Sequence, residues 1–142
     1  MSRGPAERAK NSRSNPALGK AKIIAFAATT NSAKTKAFYR DKLGLRLVSE
    51  DRFALVFDLG GTTLRVQRVE KATISPYTSL GWAVKGVATK VKQLVAAGVV
   101  FERYETLQQD ELGIWTSPSG AKVAWFKEPE GNTFSLTEFE GN

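Results

Sequence analysis

Two side chains are missing from this protein: neither cysteine nor histidine occurs among its 142 residues. Without cysteine there are no disulfides, no thiolate metal sites and no thiol nucleophile. Without histidine the chain lacks the commonest general base and the commonest ligand for zinc or iron. Ser-His-Asp and Cys-His mechanisms are thereby excluded. Any metal would be held by carboxylate and carbonyl oxygens, donors better suited to magnesium or calcium than to a transition metal. Long apolar runs are lacking as well. None approaches the roughly 20 residues that cross a bilayer, and the polar, basic N-terminus has no apolar segment of the secretory kind. The expectation is a cytoplasmic protein with no membrane partner.

What is present is one domain's worth of chain, 42% apolar, with a formal charge of +7. That charge is unevenly spread. Arg3, Arg8, Lys10, Arg13, Lys20 and Lys22 stand against Glu7 alone, so residues 1–22 carry +5 and the remaining 120 carry +2. Residues 1–20, rich in Ser, Asn, Pro and Gly and poor in large apolar groups, read as a disordered basic tail. Its other use would be an arm for nucleic acid or an acidic partner, which predicts steep salt dependence lost on deleting residues 1–20. Nucleic acid is not the expected partner.

From residue 21 the apolar pattern organises into two successive units, 21–70 and 78–140. Ile23 to Ala27 has the length of a strand, and Thr29-Thr30-Asn31-Ser32 supplies cap candidates for a helix over 32–42, with Ala33, Ala37 and Phe38 as its apolar positions. Arg46 to Ser49 and Phe53 to Asp58 read as strands. Gly60-Gly61 is a two-residue hairpin signal leading into Thr62 to Val69. The order then restarts. Thr78 to Val84 is a strand, and a helix over 87–97 carries Val87, Val91, Leu94 and Val95 on one face. Strands are expected at Val99 to Glu105, Leu112 to Thr116, Ala121 to Lys127 and from Thr133 onward. A repeated unit that cannot close its own core argues that the two halves pair.

This β-α-β-β-β repeat, with Phe38-Tyr39 leading to Leu43-Gly44-Leu45 and with the turn Glu128-Pro129-Glu130-Gly131-Asn132, resembles the vicinal oxygen chelate superfamily. That superfamily takes in glyoxalase I, extradiol dioxygenases, and fosfomycin- and bleomycin-resistance proteins. The resemblance covers residues 22–140. It implies an α+β fold of two paired βαβββ modules, forming a curved mixed sheet around a cleft. In the metal-dependent members, side chains on the inner faces of four strands hold a divalent ion. The matching positions here are Ile24, Arg65, Ser79 and Ser135. None is a usable ligand, and Arg65 would set a fixed positive charge where a cation should lie. The resemblance therefore points to the metal-free, bleomycin-resistance-like branch, whose members are dimers that bind a small molecule in clefts between modules. No metal and no cofactor is expected, and a homodimer is.

Strand parity sends Ile24, Phe26, Ala28, Thr63, Arg65, Gln67, Ser79, Gly81, Ala83, Thr133, Ser135 and Thr137 to the cleft, and Leu64, Val66, Leu80, Trp82, Phe134 and Leu136 beneath the helices. Such a cleft suits a planar or anionic organic ligand. Arg65 could clamp a carboxylate and Phe26 could stack on a ring. The candidate ligand-binding residues are Phe26, Asp58, Arg65, Gln67, Ser79, Trp115, Trp125 and Ser135. Alternatives stay open: Asp58 could neutralise Arg65, Phe26 could be core, and the facing of Trp115 and Trp125 depends on an unfixed register. The other functional reading is a lyase or isomerase working through a carboxylate such as Asp58, or through a carboxylate-bound cation.

Overall fold

The apolar strands and their turns build two four-stranded mixed sheets, seen in a computed structural model that describes residues 16–141. Most of the expected basic tail lies outside the described residues. What is described of it is one helical turn, α1 (Pro16–Gly19), on which Leu18 is exposed.

The first sheet holds β1 (Ile24–Thr29), β2 (Arg46–Glu50), β3 (Ala54–Leu59) and β4 (Thr62–Arg68) in the order β1-β4-β3-β2. β1 runs parallel to β4, and the other pairs are antiparallel. Gly60 and Gly61, at φ 65° and 99°, make the tight β3–β4 connection that no residue with a Cβ adopts without strain. The second sheet repeats the plan with β5 (Thr78–Ala83), β6 (Trp115–Thr116), β7 (Lys122–Lys127) and β8 (Thr133–Glu138), ordered β5-β8-β7-β6. β5 is parallel to β8.

The first helix begins as expected. Asn31 caps it, its Oδ1 accepting from the Lys34 N–H at 3.1 Å. After one α turn, α2 (Ser32–Thr35), the backbone widens into a π-helical segment, Lys36–Lys42. There the Leu43 N–H donates to the Phe38 carbonyl five residues back. This widening alters which side chains face inward. Ala33 and Ala37 are exposed, whereas Thr35, Phe38 and Tyr39 are buried. The expected Ala-Ala-Phe stripe is thus replaced by adjacent aromatics. Helix α3 (Val87–Ala96) buries Val87 and Val91 but leaves Val95 half exposed, so its apolar face is narrower than the spacing predicts.

A second correction concerns residues 99–116. The strand expected at Val99 to Glu105 reduces to a single bridge between Phe101 and Phe126, and that expected at Leu112 to Thr116 reduces to Trp115–Thr116. The cause is the side chain of Gln109. Its Oε1 accepts from the Tyr104 N–H at 2.8 Å, while its Nε2 donates to the carbonyls of Glu102 (3.0 Å) and Gly113 (2.8 Å). A side-chain amide therefore satisfies backbone groups that a ladder would otherwise pair.

The core lies where the helices cover both sheets, and it is continuous between modules. Tyr39 is fully buried, edge-on to Phe57 of the first sheet and stacked at 6.0 Å on Phe134 of the second. Phe38 reaches Phe126, and Trp82 packs against both Phe126 and Phe134. Trp82 is a helix-side residue, as parity predicts.

Candidate functional site

Opposite the helices, each sheet keeps an open face, and the registers fix what it carries. In the first module Ile24 lies across from Thr63, Phe26 from Arg65 and Ala28 from Gln67. Val56 flanks Arg65 and Asp58 flanks Thr63 from the other side. Ile24 and Phe26 are 53% and 59% exposed, so Phe26 belongs to this open face rather than to the core. Asp58 does not neutralise Arg65. Its carboxylate accepts from Arg46 at 3.4 Å and from the Gly61 N–H at 3.0 Å. Among the described residues no carboxylate forms a salt bridge with Arg65. The nearby Asp51 carboxyl is held below its ordinary range first by the N–H groups of Phe53 and Ala54. The guanidinium groups of Arg65 and Arg68 add a smaller pull.

In the second module Gly81 lies across from Ser135, and Ser135 from Trp125. Trp115 is opposite Val123, and Val123 opposite Thr137, so both hairpin tryptophans share the open face, 6.0 Å apart. Ser135 is buried there. A Cβ placed on Gly81 would come within 2.6 Å of Ser135 Oγ, so the glycine makes room for that hydroxyl. The ladder slips between Thr78 and Leu80, so Ser79 sits at the irregularity, without a partner in the ladder. Ser79 Oγ instead donates, at 3.5 Å, to the Thr133 carbonyl. Phe26, Gln67 and Ser79 meet with Ser75 and Asn132 around a depression of about 210 Å³ that spans both modules. Arg65 lies farther along the first sheet, and Trp115 and Trp125 farther along the second. On the helix side, an apolar cavity of about 220 Å³ between Leu43, Leu45 and α3 has only Lys90 and Gln93 as polar lining.

No family model and no curated protein sequence matches the chain. Solved structures do. A glyoxalase family protein from Enterococcus faecalis aligns with a TM-score of 0.63 at 21% identity, over 86% of this chain and 98% of its own. A glyoxalase/bleomycin resistance protein/dioxygenase from Nocardioides aligns at 0.63 and 19%, over 94% and 95%. A lactoylglutathione lyase from Agrobacterium tumefaciens aligns at 0.66 and 17%, over 85% and 95%. The chain has the glyoxalase/bleomycin-resistance fold. At these identities the likeness is one of fold, and activity must be argued from the side chains.

The metal of this fold's chelating members does not fit the side chains at the matching positions. Ile24 offers no donor, Arg65 is a cation, and Ser79 and Ser135 are neutral hydroxyls, one of them turned toward Gly81. Among the described residues no three His, Cys, Asp or Glu side chains cluster.

Sequence reasoning missed the role of the acidic residues in the Glu128-Pro129-Glu130-Gly131-Asn132 turn. Glu128 is buried; its carboxylate accepts from the Asn132 N–H at 2.7 Å and from the Tyr39 hydroxyl at 3.3 Å. Burial first, then the Glu128 charge and hydrogen bond, push the Tyr39 phenol far above its ordinary range. Glu130 accepts from the N–H and hydroxyl of Thr30, and Asn132 Oδ1 from the N–H of Ser75 at 2.7 Å. One turn thereby ties the second module to the first and to the linker. The available signal was two acids flanking Pro129, next to a glycine-asparagine pair. Lys127, Tyr104 and Tyr77, which border Trp125, were missed as well.

Proposed function

We propose that this protein binds a small aromatic or anionic organic molecule without a metal, on the open sheet faces, and that a second copy closes them. The observation that carries this reading is the pairing of Phe26 with Arg65. An exposed aromatic ring stands directly across from a guanidinium that has no carboxylate salt bridge among the described residues. An arginine so placed offers two parallel donors to a carboxylate, and the ring offers a face to stack on. The modules 21–70 and 78–140 act as separate halves of the cleft. Exposed Ile24 and Phe26 are apolar surface of the kind that an interface covers. In the free chain this surface is open, and the homodimer places one copy's second module over the other's first. The protein works in the cytoplasm.

Sedimentation velocity tests the arrangement. The wild-type chain is expected to sediment as a dimer and the Phe26→Asp variant as a folded monomer. A wild-type monomer at all concentrations, or a dimer indifferent to Phe26→Asp, would remove the closing partner from the account.

A further inference from the structure

A depression of about 470 Å³ is separate from the one that contains Phe26. It lies on the second module's open face, where the linker segment 74–78 folds over the Trp125 end of the sheet. Its size falls within the range of small-molecule sites. Three rings border it: Trp125, Tyr104 set edge-on to Trp125 at 5.5 Å, and Tyr77 from the linker. Trp115 buttresses Trp125 from behind at 6.0 Å.

Polar groups gather at one place. The Lys127 ammonium donates to Thr133 Oγ1 at 2.9 Å, and the same threonine hydroxyl lies beside the hydroxyl of Tyr104. Among the described residues Lys127 has no salt bridge, so its charge is met only by a neutral hydroxyl. Two acids, Glu102 and Glu128, border a neighbouring groove that Lys127 also edges; Glu128 accepts from Tyr39 and Asn132, and Glu102 shares the groove with Lys34 and Lys42. The walls are pinned by side-chain bonds to backbone. Gln109 holds the Tyr104 N–H, and Asn132 holds the Ser75 N–H of the linker.

Resting on the reading that the open sheet faces take ligand, we infer that the second module's face holds a planar aromatic carboxylate in this depression, through residues of one chain. The flat body lies among Tyr77, Tyr104 and Trp125, and the carboxylate accepts from Lys127 and the Tyr104 hydroxyl. An ammonium with a fixed position and no counter-ion selects the anion, and three aromatic walls select a flat apolar body. Arg65 of the same chain does not line the depression, so its residues can be tested apart from the pairing of Phe26 with Arg65.

The test is a calorimetric titration of 2-naphthoate into the full chain carrying Arg65→Met, so that the first-sheet guanidinium is absent. Saturable binding of one equivalent per chain is expected. Adding Lys127→Met should weaken it about ten-fold or more, the effect of losing a charged hydrogen bond. The same change should leave binding of the uncharged 2-naphthalenemethanol alone. Tyr77→Ala, at an exposed linker position, should weaken both ligands. No saturable binding to the Arg65→Met chain would overturn the inference. So would affinity for 2-naphthoate that Tyr77→Ala leaves unchanged, or a Lys127→Met effect equal for acid and alcohol. Failure of first-sheet binding, by contrast, would leave this result standing.

Discussion

Removing the Glu128 carboxylate should loosen the joint between the two modules, and the loss can be sized from its partners. In Glu128→Ala the fully buried Tyr39 hydroxyl and the Asn132 N–H both lose their acceptor. An unsatisfied buried polar group costs about 1–3 kcal/mol, so the variant should lose about 3 kcal/mol. For a chain of this size that lowers Tm by roughly 10 °C. Tyr39→Phe removes the donor but leaves the Glu128–Asn132 bond, and should cost about 1 kcal/mol. Urea unfolding of both single variants and the double variant closes a cycle whose coupling should be about 1 kcal/mol, because the second change no longer orphans anything. The pair also has an alkaline signature. The Tyr39 phenol is raised in the folded state, so folding holds its proton where the unfolded chain releases it. Its contribution is complete below the unfolded value of about 10 and falls as pH rises above it, by about 1.4 kcal/mol per unit. Wild type should therefore lose its advantage over Tyr39→Phe between about pH 10 and 11 and become the less stable of the two above that. Additivity within about 0.3 kcal/mol, with a stability difference flat across alkaline pH, would refute the buried pair.

Gly81→Ala should cost about 1–3 kcal/mol in denaturant unfolding, because the new methyl meets Ser135 Oγ. Combining it with Ser135→Gly should restore much of that loss, whereas an equally destabilised double variant would show that the hydroxyl was not the obstacle. Gln109→Ala frees the backbone of Glu102, Tyr104 and Gly113, and limited proteolysis should then cut between residues 102 and 113 before the sheets open. A cleavage pattern identical to wild type would deny Gln109 that role. Asn132→Ala releases the Ser75 N–H and should raise amide exchange across residues 74–78 with little effect on β1 to β4.

The strands of both modules were legible because alternation names a face directly. Leu64 and Val66 are buried and Thr63 and Gln67 exposed, as period two requires. Gly60-Gly61 marked its hairpin for the same local reason. Where one side chain replaces a ladder, periodicity fails: Val99 to Glu105 has a strand's composition, yet Gln109, several residues downstream, takes its backbone bonds. The π-helical widening is equally invisible to a 3.6-residue stripe, so Ala33 and Ala37 were assigned inward and Tyr39 was left out of the apolar stripe. At the site, parity placed Phe26 beside Arg65 but could not say that Asp58 would turn to Arg46, since that choice belongs to the edge strand. The Lys127–Tyr104 pocket depends on a linker whose course follows from Asn132, a contact separated by 57 positions.

The central claim is that the open face of the first sheet takes an organic ligand with no metal. The most direct measurement follows the side-chain Nε–Hε signal of Arg65 by NMR while EDTA-treated protein is titrated with a panel of aromatic acids. The account predicts a saturable shift for at least one acid, accompanied by shifts at Phe26 and unchanged by the chelator. An Arg65 signal that stays fixed throughout the panel, or moves only once a divalent cation is restored, would contradict it.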